Sequence, residues 1–110
     1  MSLRTDYTGA YDSKIAEARA AGLTLVGTTN LATITTEMAT AAAAGLQTFT
    51  VTLAIGYQPQ DIRAGGNLWE AFKSGCLQAL AAEDIAGNEV TVTLNTSDTV
   101  TTSVDLNFTF

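Results

Sequence analysis

The sequence predicts an α+β domain in which a three-stranded, mostly antiparallel sheet carries three helices on one face, in the order α-α-β-α-β-β. Two patterns support this prediction. From residue 100 to residue 110, apolar or β-branched side chains alternate with polar ones, which is typical of a strand with one buried face. Upstream, three stretches carry apolar residues at spacings of three and four, which places them on one face of a helix.

Composition limits the class of protein. A chain of 110 residues predicts one domain, residues 1–110, and a content of 46% hydrophobic and 15% charged residues excludes disorder. The net charge of −6 and the scattered basic residues argue against a nucleic-acid partner. No apolar stretch approaches the roughly 20 residues that span a bilayer, so we expect no membrane association. The N-terminus lacks a hydrophobic signal core, which predicts a non-secreted protein.

The first two helices share a predicted ending. The first helix has Thr5 or Asp6 as its expected cap, and the second covers residues 30–44. Each ends in the tetrapeptide Ala-Ala-Gly-Leu, with the glycine at Gly22 or Gly45. Because glycine readily adopts the left-handed conformation after a last helical turn, we expect both helices to stop there. The apolar faces of the two helices comprise Tyr7, Tyr11, Ile15 and Ala18, and Leu31, Ile34, Met38 and Ala41 or Ala42.

The remaining elements follow in order. Residues 47–57 form the first strand, with Phe49 and Val51 on its apolar face. The third helix has Asn67 as its cap and Glu70 three residues later, which is the spacing of a capping box. Residues 89–95 form the second strand. The apolar face of the third helix comprises Trp69, Phe72, Cys76, Leu77 and Leu80.

The last two strands should form a hairpin with an odd loop of about three or five residues, because this keeps their apolar side chains on one face. The predicted pairs are Leu94 with Val100, Val92 with Thr102 and Val90 with Val104. The end of the last strand then pairs along the first strand. The last strand is therefore expected in the middle of the sheet.

Residue types exclude several kinds of chemistry. The chain has no histidine, which removes histidine-based acid–base catalysis and most transition-metal sites. Cys76 is the single cysteine and is expected to be an inert buried thiol. We therefore predict no catalytic residues, no metal site and no cofactor, and we expect the protein not to be an enzyme. A carboxylate-dependent hydrolase is the least favoured class, with Asp61 as its candidate residue.

The stretch from Gly56 to Gly66 supports an alternative function. It predicts a long loop in which Gln58, Asp61 and Arg63 could contact a ligand, giving a small soluble binding module. Arg63 ahead of two glycines and a helix start could hold an anion. The same residues also fit an ordinary loop that ends in a helix cap, and this second interpretation is favoured.

Short neutral side chains dominate the outer side of the predicted sheet. One interpretation is a solvated face that preserves strand propensity. The other is a surface semi-buried against another copy or another protein, because charges that would resist contact are nearly absent. Under the second interpretation the predicted interface residues are Thr50, Thr93, Thr101, Ser103 and Thr109.

Three segments resemble small proteins encoded by tailed phages of cyanobacteria. They are Asn30-Leu31-Ala32-Thr33, Ala81-Ala82-Glu83-Asp84-Ile85 and Leu94-Asn95-Thr96-Ser97-Asp98-Thr99-Val100. The resemblance implies a virion structural component, as a capsid decoration protein or a neck or tail component. It further implies partners that are other virion proteins or further copies of the chain, hence a homo-oligomer or a larger assembly. The implied location is the virion, and the host cytoplasm during assembly.

Overall fold

The computed structural model describes residues 2–54, 67–95 and 103–110. Within these ranges the predicted fold class and element order are confirmed, with helices packed against a three-stranded antiparallel sheet. The helices are α1 (Leu3–Thr24), α2 (Leu31–Ala43) and α3 (Asn67–Ala81), and a π-helical turn (Leu25–Thr29) joins α1 to α2. The strands are β1 (Thr48–Ala54), β2 (Val90–Asn95) and β3 (Ser103–Thr109).

The strand order is β1-β3-β2, so the last strand lies in the middle of the sheet, as predicted. Leu106 of β3 stands opposite Val51 of β1 and opposite Val92 of β2. All three side chains are buried and point to the side that the helices cover. The alternation of the sequence therefore assigned the faces of the sheet correctly, because side chains in a strand alternate sides.

The predicted pairing within the last hairpin is wrong by four residues. Leu94 lies opposite Val104 rather than Val100, and Val90 lies opposite Phe108 rather than Val104. An even shift keeps every side chain on its predicted face, which is why the core is unaffected. The longer connection, residues 96–102, allows β2 to run along the whole of β3, so that Phe108 is buried between both neighbouring strands. Burial of a phenylalanine outweighs the small entropic cost of a few extra loop residues.

The predicted end of the first helix at Gly22 is also wrong. Helix α1 continues to Thr24, and the backbone N–H of Leu25 donates to the carbonyl groups of Ala21 and Gly22. Gly22 is buried against α3, where a Cβ atom would overlap the carbonyl oxygen of Phe72. Gly22 therefore allows α1 and α3 to pack closely, and it does not end the helix. The predicted cap is corrected too, because Ser2 caps α1 by accepting from the backbone N–H of Thr5 at 3.1 Å.

The second Ala-Ala-Gly-Leu tetrapeptide ends its helix as predicted. Gly45 has a φ angle of +77°. Its N–H donates to the carbonyl oxygen of Ala42, while the N–H of Leu46 donates to that of Ala41, both at 3.0 Å. These two bonds define a Schellman motif, which satisfies carbonyl groups that the helix end leaves open. The chain then enters β1 two residues after Leu46.

Two glycines bring α1 and α3 into direct backbone contact. A Cβ atom on Gly75 would overlap the carbonyl oxygen of Arg19, in the same crossing where Gly22 meets Phe72. The buried surface of α3 is consequently wider than its predicted apolar face, since Ala71, Gly75 and Ala79 are buried as well. The predicted core positions Trp69, Phe72, Cys76 and Leu80 are confirmed as buried, and Leu77 is partly buried.

Candidate functional site

The sheet has an outer surface opposite its apolar side, and we call this surface the outer face. Among the described side chains, it is formed by alternate residues of the three strands, which are short and polar except for one alanine. They are Thr48, Thr50, Thr52 and Ala54 of β1, Thr91 and Thr93 of β2, and Ser103, Asp105, Asn107 and Thr109 of β3.

Asn107 links all three strands across the centre of the outer face. Its Oδ1 atom accepts a hydrogen bond from the hydroxyl of Thr50 at 2.9 Å. Its Nδ2 atom donates to the hydroxyl of Thr93 at 2.8 Å and to the backbone carbonyl of Thr91 at 3.1 Å. A bonded amide of this kind cannot rotate freely, so the hydroxyl groups around it are held in fixed positions. The side chains at the centre of the outer face are therefore held in one arrangement.

Charge is nearly absent from the described strands. Asp105 is the one charged residue within them, and its carboxylate accepts from the hydroxyl of Thr52 at 2.6 Å. The full chain has a net charge of −6, so its other charges lie elsewhere in the sequence. A sheet with a single charged residue in an acidic protein lowers the electrostatic cost of bringing a second surface against it.

Four of the five predicted interface residues lie among the described residues, and all four are on the outer face. Thr50, Thr93 and Thr109 are exposed on the outer face, and Ser103 is half-buried there. Thr101 lies outside the described residues. Sequence reasoning missed Asn107 as the centre of the hydrogen-bond network. Alternation alone places it on the correct face, but its partners depend on the pairing of three strands that are distant in sequence.

The loop residues of the alternative function, Gln58, Asp61 and Arg63, lie outside the described residues, so the binding-module hypothesis stays a prediction. A shallow groove of about 250 Å³ lies between α2 and the end of α3. Its walls combine apolar side chains with one hydroxyl and one carboxylate: Leu31, Ile34, Met38, Leu80, Thr35 and Glu83.

Among the described residues, the most exposed large apolar side chains lie at the start of α1 and at one end of β1, and Leu23 near the end of α1 is exposed to a smaller extent. Leu3 is 89% exposed and Tyr7 66% exposed on the first turns of α1, and the Tyr7 ring stacks on Tyr11 with a centroid distance of 5.8 Å. At the other place, Leu46 is 53% and Phe110 47% exposed. Both residues lie at the Thr48 end of β1, because the N–H of Phe110 donates to the carbonyl oxygen of Gln47.

Cys76 is fully buried, as predicted. Burial raises the pKa of its thiol from the ordinary value of 9.0 to about 12, because a thiolate is poorly solvated inside the core. A backbone hydrogen bond opposes this shift without cancelling it. The neutral thiol is a poor nucleophile and a poor metal ligand, so Cys76 acts as a small apolar side chain.

The raised pKa of Cys76 predicts how stability changes with pH. The unfolded chain loses the thiol proton above pH 9.0, whereas the folded chain keeps it until about pH 12. The stability that the folded protein gains from this difference in pKa is therefore present below pH 9 and is lost as pH rises towards 12. From pH 8 to pH 10 we expect the thiol to lower the free energy of unfolding by about 1 kcal/mol. Urea denaturation of wild type and Cys76→Ala measures this, and equal losses in both proteins would contradict it.

None of the described helices is long and apolar enough to cross a membrane. Within residues 2–54, 67–95 and 103–110, no group of three histidine, cysteine or acidic residues is arranged to hold a metal ion. Comparisons with protein-family models, with curated proteins and with solved structures find no match for this chain.

Proposed function

We propose that this protein is a non-enzymatic structural subunit of a tailed-phage particle, as a capsid decoration protein or a neck or tail component. Its partners are further copies of itself or other virion proteins, and the outer face is the contact surface. The observation that carries the proposal is the network in which Asn107 joins Thr50 to Thr93 across three strands. The resemblance of three sequence segments to small phage proteins supplies the biological setting.

The outer face supports an assembly role in two ways. Several of its polar side chains already bond to one another, among them Thr50, Thr93 and Asn107. Burial of these groups against a partner would therefore leave fewer donors and acceptors without a hydrogen bond. Its threonine and serine side chains are short, which limits the rotamer entropy lost on contact. A surface built for solvation alone would gain solubility from lysine and glutamate, and Asp105 is the one such charge in the described strands.

Mass spectrometry of purified particles of the encoding phage tests the proposed setting. We expect the chain to be present in many copies per particle, because decoration, neck and tail components follow the symmetry of the particle. A chain that is abundant in the infected cell and missing from purified particles would contradict the proposal.

A double substitution tests the contact surface. Thr91→Lys together with Thr93→Lys places two charges on the outer face, where a charge in a desolvated contact costs several kcal/mol. We expect the variant to fold, as judged by circular dichroism, and its incorporation into particles to fall by at least about tenfold. The matched control is Thr33→Lys with Thr36→Lys, which adds the same charge at two exposed positions of α2. Equal incorporation of the two double variants would exclude the outer face.

A further inference from the structure

The open edge of β1 is a second surface suited to contact, distinct from the outer face. Strand β1 lies at one side of the sheet and pairs only with β3 among the described strands. It contains seven residues, Thr48 to Ala54, without a charge, a proline or a glycine. Native proteins usually protect such edges with charges, proline or bulges, because an open edge accepts another strand.

The pairing with β3 determines which peptide groups face outward. The N–H of Phe110 donates to the carbonyl oxygen of Gln47, so position 47 belongs to a hydrogen-bonded pair. In an antiparallel ladder such pairs alternate, and Phe49, Val51 and Leu53 therefore bond to β3. The peptide groups of the even-numbered residues point away from the sheet, and these are Thr48, Thr50, Thr52 and Ala54.

We infer that two copies of the chain pair through this edge, β1 against β1 and antiparallel, to form one continuous six-stranded sheet. The two-fold axis passes through Val51. Thr50 then bonds to Thr52 of the second copy, and Thr48 to Ala54. This register pairs all seven residues of the strand. Each outward-facing peptide group of one copy stands opposite an outward-facing peptide group of the other, so that every one of them can form hydrogen bonds. The proposal deepens the assembly role proposed above and rests on it for its biological purpose.

Two features select a second copy as the occupant and β1 as the edge. The copies each carry a net charge of −6, so they approach most favourably through an uncharged strand. Exposed apolar side chains lie at the Thr48 end of β1, at Leu46 and Phe110, and the Phe110 ring packs on half-buried Phe49 at 6.0 Å. The opposite edge, β2, follows directly after Glu89 and has no large exposed apolar side chain on the described residues beside it.

A proline at position 50 tests the edge while leaving the backbone hydrogen bonds between β1 and β3 in place. In Thr50→Pro the removed N–H is one that faces away from the sheet, and edge strands tolerate proline at such positions. Thr50→Val is the matched control, because it loses the same hydroxyl bond to Asn107 and keeps the N–H. By sedimentation and light scattering, we expect wild type and Thr50→Val at twice the 11.4 kDa of one chain. Thr50→Pro loses two donors per dimer, so we expect its dissociation constant to rise about 100-fold.

Amide hydrogen exchange of the unmodified protein supplies an independent measurement. In the dimer, the amides of Thr50 and Thr52 should be protected at concentrations where the mass is doubled, and should lose protection on dilution to the monomer. Amides of Val92 and Leu94, on the outer edge of β2, should exchange at the same rate at both concentrations. The edge proposal is overturned by a wild-type monomer at about 100 μM or by unprotected Thr50 and Thr52 amides in a dimer. It is also overturned by a folded Thr50→Pro variant with the same dissociation constant as Thr50→Val.

The edge proposal and the outer-face proposal are tested by different variants, so either one can be contradicted while the other stands. Thr91→Lys with Thr93→Lys lies two strands away from the β1 edge, so this variant should remain dimeric in solution while losing incorporation into particles. If the Thr50→Pro variant is monomeric and the double lysine variant is incorporated normally, the edge proposal stands and the outer face does not. If the wild type is monomeric and the double lysine variant is excluded from particles, only the edge proposal fails.

Discussion

Phe72→Ala is expected to lower the free energy of unfolding by roughly 3–5 kcal/mol. The Phe72 side chain is 1% exposed on α3 and its ring lies 5.9 Å from that of Trp69. Its backbone also contacts Gly22 of α1. Alanine would leave a cavity at the crossing of two helices, and the glycine contact already holds their backbones together, so the walls have little freedom to collapse into the space.

Gln78→Ala is the control for this measurement. Gln78 is exposed on the same helix, and alanine is at least as good a helix former as glutamine, so its effect should be under about 0.5 kcal/mol. Urea denaturation followed by circular dichroism gives both values. Similar midpoints for the two variants would mean that α3 does not cover the sheet in the way described.

Gly75→Ala is expected to destabilise the fold by about 3 kcal/mol, at the upper end of the usual cost of overpacking. A Cβ atom at this position overlaps the carbonyl oxygen of Arg19 and approaches the backbone nitrogen of Leu23 to 2.9 Å. Both obstacles are backbone atoms of α1 and cannot rotate away, so the two helices must separate. Gly22→Ala meets the carbonyl of Phe72 in the same crossing and should have a similar effect.

Gly9→Ala is the matched control within α1. Apart from the backbone of its own helix, no described part of the chain comes within 4 Å of a Cβ at Gly9, and alanine is the better helix former by about 1 kcal/mol. We therefore expect this exchange to leave stability unchanged or to raise it. Comparing the change in stability at Gly9 with the changes at Gly22 and Gly75 separates the effect of helix propensity from the effect of the backbone contact between α1 and α3. A stabilising Gly75→Ala substitution would show that α1 and α3 do not cross at this point.

The candidate surface was predictable in part. Alternation placed Thr50, Thr93 and Thr109 on the outer face, because the side of a strand to which a residue points depends only on its position in the strand. The hydrogen bonds of Asn107 were not predictable, since they join residues 57 and 14 positions apart in sequence. The open edge of β1 likewise became visible only once the strand order and the ladder with β3 were known.

The sequence by itself determined the fold class, the order of elements, the buried side of each strand and the central position of β3. These depend on local periodicity and capping, as at Gly45, where the tetrapeptide Ala-Ala-Gly-Leu ends a helix with a φ angle of +77°. Only the tertiary structure shows that the helix continues through the same tetrapeptide at Gly22. There the backbone of α3 lies so close to the glycine that a Cβ atom would overlap it. The tertiary structure also decided the register of β2, because the burial of Phe108 between two strands outweighs the preference for a short loop.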